Sequence, residues 1–431
     1  MIEFYVTLTE HLGFFAILTA LILGLLYLLF RKHIFSIFDP LLYYILITEA
    51  FCISDVIFMG YYKLIQTKYV VQYLLSEGAL FLGILLFRVR KPLPLSDKNN
   101  RHDCIPHYFY RLAFILFVGL NIFVYATRGI PLLAENRLEI FRQGGGFGFI
   151  SRMFDVLIVI IIYFLLDVHR RRGWRWHEWA ALGLIAAIQV LSGAKSAALS
   201  LVFIVSLHVF YTGGFGSGEL RSIKLLKQLT IAAVGGFLIV AQVQMSEVEI
   251  GGQSLSLLNQ AALRFVNNGD AFLYAYSENL MDRLNGSNPI GALFREYLAF
   301  FRFATPEQLP THIGRQLSQL FNGFDATTQT NAKHNIFGYL YFGALGGVMY
   351  SFLIGVSIGF LRYKILVRSG RSWQFGIIYI MLNLGILTSA SDWDNFSRTV
   401  LNVLFIFIPL VIVSSLLSSA SRRHVSVGTH G

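Results

Sequence analysis

Runs of about twenty consecutive apolar residues recur from one end of this chain to the other, and they limit its fold more than any other feature. A segment of that length spans the hydrocarbon core of a bilayer as an α-helix, and a helix satisfies its backbone hydrogen bonds internally. Charged residues make up 14% of the chain, against about 25% in a soluble domain. Mean hydropathy is +0.60. The expectation is an all-α polytopic membrane protein, with residues 1–431 forming a single integral domain.

The apolar runs give about eleven transmembrane helices: Leu12–Phe30, Phe38–Gly60, Tyr69–Phe87, Leu112–Ala126, Met153–Leu166, Trp179–Leu191, Ala197–Tyr211, Leu229–Val243, Asn335–Leu361, Phe375–Ser389 and Val400–Leu417. Lys and Arg in short loops set orientation. With the N-terminus outside and the C-terminus inside, the internal segments hold Arg31 and Lys32, the 88–111 and 170–175 sets, Arg221, Lys224, Lys227, Arg362, Lys364, Arg368, Arg371, Arg422 and Arg423. Every internal segment is then basic. The polar stretch 244–333 becomes a large external helical loop between the eighth and ninth helices, too long for the charge rule to govern its arginines. Within it, the apolar spacing of Ile290–Phe303 suits a helix lying in the membrane interface or packing on the bundle. The net charge of +11 is accounted for by loops facing anionic headgroups and does not call for nucleic acid. The first run follows Glu3 and Glu10 without a basic region, so no cleavable signal peptide is expected. Cys52 lies in an apolar run and Cys104 in a basic loop, which argues against a disulfide or a metal.

Candidate chemistry concentrates on the external side. Arg128, Arg137 and Arg142 occupy a short external loop where topology disfavours positive charge, and Gly144–Gly148 follow them. Arginine pairs bidentately with phosphate or carboxylate. The competing use is pairing with Glu135 and Glu139. Lys195 interrupts a nearly continuous apolar stretch, as a functional group or as a snorkelling turn residue. The long loop adds Arg264, Arg283, Arg295, Arg302 and Arg315. It ends in Lys333, His334 and Asn335 at the head of the ninth helix, where Thr330 and Asn331 offer caps and a helix N-terminus favours anions. Gly338, Gly343, Gly346 and Gly347 read as a small-residue face that admits another helix or a lipid chain. Asp392-Trp393-Asp394, external between the last two helices, could ligate a cation or serve as a base, but the expectation is a solvated turn. No metal-ligand spacing is present, and no metal or cofactor is expected.

Three stretches carry a family resemblance. Arg128-Gly129-Ile130-Pro131-Leu132-Leu133 followed by Arg137, the Arg137-to-Gly148 spacing, and Asn335 to Gly347 resemble the motifs of Wzy-type O-antigen and capsular polysaccharide polymerases. Ser192-Gly193-Ala194-Lys195-Ser196 is similar to that family's Gly-Ser-Arg-Gly turn, with Lys for Arg. A second Arg-x10-Gly is not found in the long loop. The related O-antigen ligases place nine residues after His-Asn, where His334-Asn335 has seven before Gly343. The resemblance implies a GT-C-like membrane glycosyltransferase at the periplasmic face of a bacterial inner membrane. It would polymerise undecaprenyl-pyrophosphate-linked oligosaccharide repeat units, alongside a flippase and a chain-length regulator. Arg137, Arg142, Lys195, Arg264, Arg302 and Arg315 would then take pyrophosphate charge without a metal. Arg128, Arg283, Arg295, Lys333 and Asn335 would contact the substrate, and His334 would be the base, with Asp270 or Glu296 as substitutes. The alternatives are a ligase-like transferase, or a transporter of an anionic lipid-linked oligosaccharide. Against transport, paired discontinuous helices are not evident in the sequence.

Overall fold

The computed structural model describes residues 2–88, 105–134, 139–142, 147–193, 197–212, 227–228, 249–250, 253–254, 266, 269–305, 307–322, 330–365 and 372–427. The described residues are almost wholly helical; one two-residue hairpin pairs Glu249–Ile250 with Gln253–Ser254. Of the eleven expected spans, the eighth (229–243) lies outside the described residues and the other ten fall on helices. Among the described residues, six helical stretches are by length and composition apolar enough to cross a membrane: Leu12–Phe30, Leu42–Tyr61, Pro106–Leu133, Phe147–Arg170, His334–Lys364 and Trp393–Ser419. This is a helical membrane protein.

The contacts divide the chain into two compact units. The first comprises Met1–Arg90, Glu247–Leu366 and Leu382–Arg398; the second comprises Lys91–Ser246, Val367–Met381 and Thr399–Gly431. The helices of the first are α1 (Ile2–Glu10), α2 (Leu12–Phe30), α3 (Thr48–Tyr61, continuing a π-helical turn from Leu42) and α4 (Thr67–Leu85). The second holds α5 (Ile105–Arg128), α6 (Glu139–Arg142), α7 (Phe147–Arg172), α8 (Trp176–Leu191) and α9 (Ala197–Thr212). The first resumes with α10 (Asp270–Tyr276), α11 (Pro289–Leu293), α12 (Arg295–Phe300), α13 (Ile313–Asn322) and α14 (His334–Phe360). Trp373–Thr388 (α15) and Trp393–Asn402 (α16) each contribute residues to both units, and α17 (Ile408–Val427) completes the second.

In the second unit, Phe109 packs against Phe164, Trp373 and Phe407, and Tyr163 lies so close under Gly376 that a Cβ there would meet its ring at 2.6 Å. In the first unit the tightest pair is α4 against α14. A Cβ on Gly355 would come within 2.1 Å of the Leu80 carbonyl oxygen, so the two backbones touch. Small residues permit this approach where lipid gives helices no hydrophobic reason to associate.

The ninth expected span is not one straight helix. Gly343 has φ 70° and ψ −171°, a conformation open essentially only to glycine. The chain reverses there. Gly338 and Gly347 meet, with the Cβ position of one 2.9 Å from the Cα of the other. Phe337 stacks on Tyr350 at 5.1 Å between ring centroids. His334 and Ser351 would lie about 25 Å apart on a straight helix at 1.5 Å per residue; their side chains are in fact 2.8 Å apart. The glycines read as a face for a partner helix therefore serve the helix's own fold-back. The far end of α14 is pinned by Arg362, expected as a loop charge but buried. It pairs with Asp39 and donates to Asn383 at 2.7 Å.

Candidate functional site

Two polar clusters of the first unit meet at the head of α14. The inner one is enclosed. Lys333 Nζ lies 3.3 Å from Glu49 Oε1. Glu77 Oε1 faces His334 Nε2 at 3.2 Å and accepts from Asn335 Nδ2 at 3.2 Å. Ser351 Oγ holds His334 Nδ1, and His334 N–H donates to the Ala390 carbonyl. All of these side chains are buried. The local sequence explains the arrangement: Lys333, His334 and Asn335 stand together at the head of α14, and their side chains meet carboxylates from α3 and α4 at the helix's positive dipole end. Asp55, also on α3, is buried with no hydrogen-bond partner on either carboxylate oxygen, and Gly269 closes over it. Beside it, burial pushes the Asp270 carboxyl up to about 6.

The outer cluster lines a cleft formed by Ala292, Arg295, Pro310–Ile313, Ala332, Phe337, Tyr341 and Asp392–Asp394. Asp392 starts α16 by accepting from the Asp394 N–H at 3.1 Å, as an N-cap carboxylate does. Its other oxygen meets His312 Nε2 at 3.1 Å. Arg295 Nη1 lies 3.5 Å from Asp394 Oδ2, and His312 Nε2 lies 3.8 Å from that oxygen. Burial alone would lower the His312 pKa, but the Asp392 hydrogen bond and the charges of Asp392 and Asp394 raise it on balance.

The donor set of the outer cluster also has the makings of a metal centre. One ring nitrogen and two carboxylate oxygens lie within 4.8 Å of one another. The hydrogen bonds favour another use. His312 Nδ1 accepts from the Gly314 N–H at 3.2 Å, which places the neutral ring's proton on Nε2, facing Asp392. A metal at Nε2 requires that proton to move to Nδ1, against the amide. Arg295 supplies a fixed cation to Asp394 instead.

Several sequence expectations change here. Lys333, His334 and Asn335 do come together, but on the chain's own carboxylates. Lys333 is paired with Glu49 rather than open to pyrophosphate, and His334 is walled in by Ser351 and Glu77 rather than open to an acceptor. Arg295 is engaged with Asp394. Asp392-Trp393-Asp394 is not a solvated turn; Asp392 is 8% exposed. The helix expected over Ile290–Phe303, in the interface or on the bundle, is broken at Phe294 into α11 and α12. Arg283, Arg302 and Arg315 are exposed. Arg128 lies in the second unit over the Phe147 ring at 4.6 Å. Arg137, Lys195 and Arg264 fall outside the described residues, as does the surrounding of the Arg142 side chain at the end of α6. Sequence reasoning missed Glu49, Asp55 and Glu77, although an ionisable residue inside an apolar span is itself a signal. It also missed His312, which nothing in its neighbourhood marks.

A scan against family models and comparisons with curated proteins and with solved structures find no match to this chain.

Proposed function

We propose that this protein is a membrane glycosyltransferase of the Wzy type, extending undecaprenyl-pyrophosphate-linked oligosaccharide by transfer to the sugar hydroxyl of an incoming repeat unit at the periplasmic face. The observation that carries the reading is the outer cleft. There an arginine, a histidine and two carboxylates converge beside three aromatic side chains, Phe337, Tyr341 and Trp393. Aromatic faces and carboxylates suit a sugar ring and its hydroxyls.

In this reading Asp394 is the base, in place of His334. Asp392 is occupied in capping α16 and holding His312, whereas Asp394 sits half-buried at the cleft between Arg295 and His312. The acceptor hydroxyl oxygen attacks the anomeric carbon of the growing glycan. The bond from that carbon to pyrophosphate breaks with its electron pair, and the hydroxyl proton passes to Asp394. The exposed Arg315 takes part of the charge of the leaving pyrophosphate. The test is complementation of a strain lacking the gene. Wild type restores long surface polysaccharide, and Asp394→Asn or Arg295→Ala leaves a single attached repeat unit at unchanged protein level. Normal chains from Asp394→Asn refute the assignment.

One observation favours transport as the second reading. The reversal at Gly343 makes α14 a discontinuous helix, and Lys333 and His334 at its head pair with buried Glu49 and Glu77; discontinuous helices and buried ionisable pairs are features of transporter sites. In the same strain, loss of a transporter leaves no attached repeat unit at all.

A further inference from the structure

The segment 289–303 has two unlike faces. One, through Ala292 and Arg295, lines the cleft. The other is apolar and exposed: Ile290 is 71% exposed, Phe294 52%, Phe301 44% and Phe303 77%. The segment is fastened at a defined height. Trp393 Nε1 donates to the Leu293 carbonyl at 3.0 Å, and Asp394 pairs with Arg295. Trp393 and Asp394 are the first residues of the membrane-span helix Trp393–Ser419. The apolar run of that helix begins near Val400, about 10 Å further along at 1.5 Å per residue, so whatever is tied to Trp393 and Asp394 lies on the headgroup side of the hydrocarbon. Phe301 and Phe303 stack at 5.7 Å, and the residue between them in sequence is the exposed Arg302. Its backbone takes the left-handed conformation, φ 56°, that ends α12 with the Phe303 N–H on the Leu298 carbonyl. Glycine is the usual residue there. Arginine instead adds an exposed cation next to two aromatic residues in sequence.

We infer that segment 289–303 is an interfacial anchor: its apolar face seats among the headgroups and first methylenes of the bilayer, with Arg302 on lipid phosphate. Aromatic rings and arginine are the side chains such a boundary favours. The anchor holds the cleft at the level of lipid headgroups, whatever reaction the cleft performs.

The test is depth measurement by spin label. Single cysteines are placed at Ile290, Phe303 and, as a solvent control, the exposed Glu307, in a Cys52→Ala, Cys104→Ser background. The protein is reconstituted in nanodiscs of phosphatidylcholine with phosphatidylglycerol. Labels at 290 and 303 should be relaxed more by lipid-soluble oxygen than by an aqueous nickel chelate, with the reverse at 307. Removing phosphatidylglycerol should shift the label at 303 towards water, and Arg302→Gln should abolish that dependence. Labels at 290 and 303 that favour the nickel chelate as strongly as 307 overturn the inference. So does a face that neither relaxant reaches and whose labels couple between two copies, which would make it a dimer contact.

Discussion

Replacing Gly343 by alanine tests the reversal on which both clusters depend. At φ 70° and ψ −171° an L-residue costs about 1–3 kcal/mol. The variant can relieve this only by straightening the helix. Straightening forfeits the His334–Ser351 hydrogen bond and the Phe337–Tyr350 ring contact, about 1 kcal/mol each. It also withdraws Lys333 from Glu49, leaving buried charges unpaired at about 3–5 kcal/mol. Strain is the smaller cost, so Gly343→Ala should keep the hairpin and lose about 1–3 kcal/mol of stability. Thermal unfolding in detergent reads the loss. The hairpin itself is read in a Cys52→Ala background carrying His334→Cys and Ser351→Cys. A short bis-thiol reagent should bridge the two, and the linked peptides should appear by mass spectrometry after digestion. Cysteines that each react singly but never bridge, with or without Gly343→Ala, refute the reversal.

Lys333→Met should destabilise the protein by about 3–5 kcal/mol, and adding Glu49→Gln should recover most of that, measured as a double-mutant cycle. His312 has a raised pKa in the folded protein, so its contribution to stability is fully present below its ordinary value of about 6.5 and is lost as pH rises through the raised value; Asp392→Asn should flatten that dependence in unfolding temperatures recorded across pH. Cysteine at the exposed Ser287 should react with an impermeant thiol reagent in intact spheroplasts, and labelling only after lysis reverses the topology.

The helices were legible because the bilayer demands about twenty apolar residues for each crossing and leaves few alternatives. Ends were less so: α5 begins at Ile105, seven residues before the expected Leu112, because Pro106, His107 and Arg111 interrupt the apolar run over its first turns. The break at Gly343 was invisible. Both halves of α14 are apolar and glycine-bearing, and spacing does not distinguish a glycine that admits a neighbouring helix from one that turns the chain. Glu49, Asp55 and Glu77 were readable as costly charges within spans but were passed over as parts of apolar runs. The outer cleft was readable only in its parts: Asp392, Asp394 and Arg295 each stood out, but nothing joined them to one another or to His312. His312 and Asp392 are separated by 80 residues and meet only through the fold, and the Asp392 cap looks the same in sequence as a solvated turn.

Purified protein in nanodiscs, supplied with lipid-linked repeat units, measures the proposed chemistry without the rest of the cell. Wild type should build a ladder of longer lipid-linked glycans, and Asp394→Asn should bind the repeat unit yet extend it at least a hundredfold more slowly, the lower end of what a positioned base contributes being about 10². A wild-type protein that moves repeat units across the bilayer without joining them, or an Asp394→Asn ladder indistinguishable from wild type, contradicts the proposal.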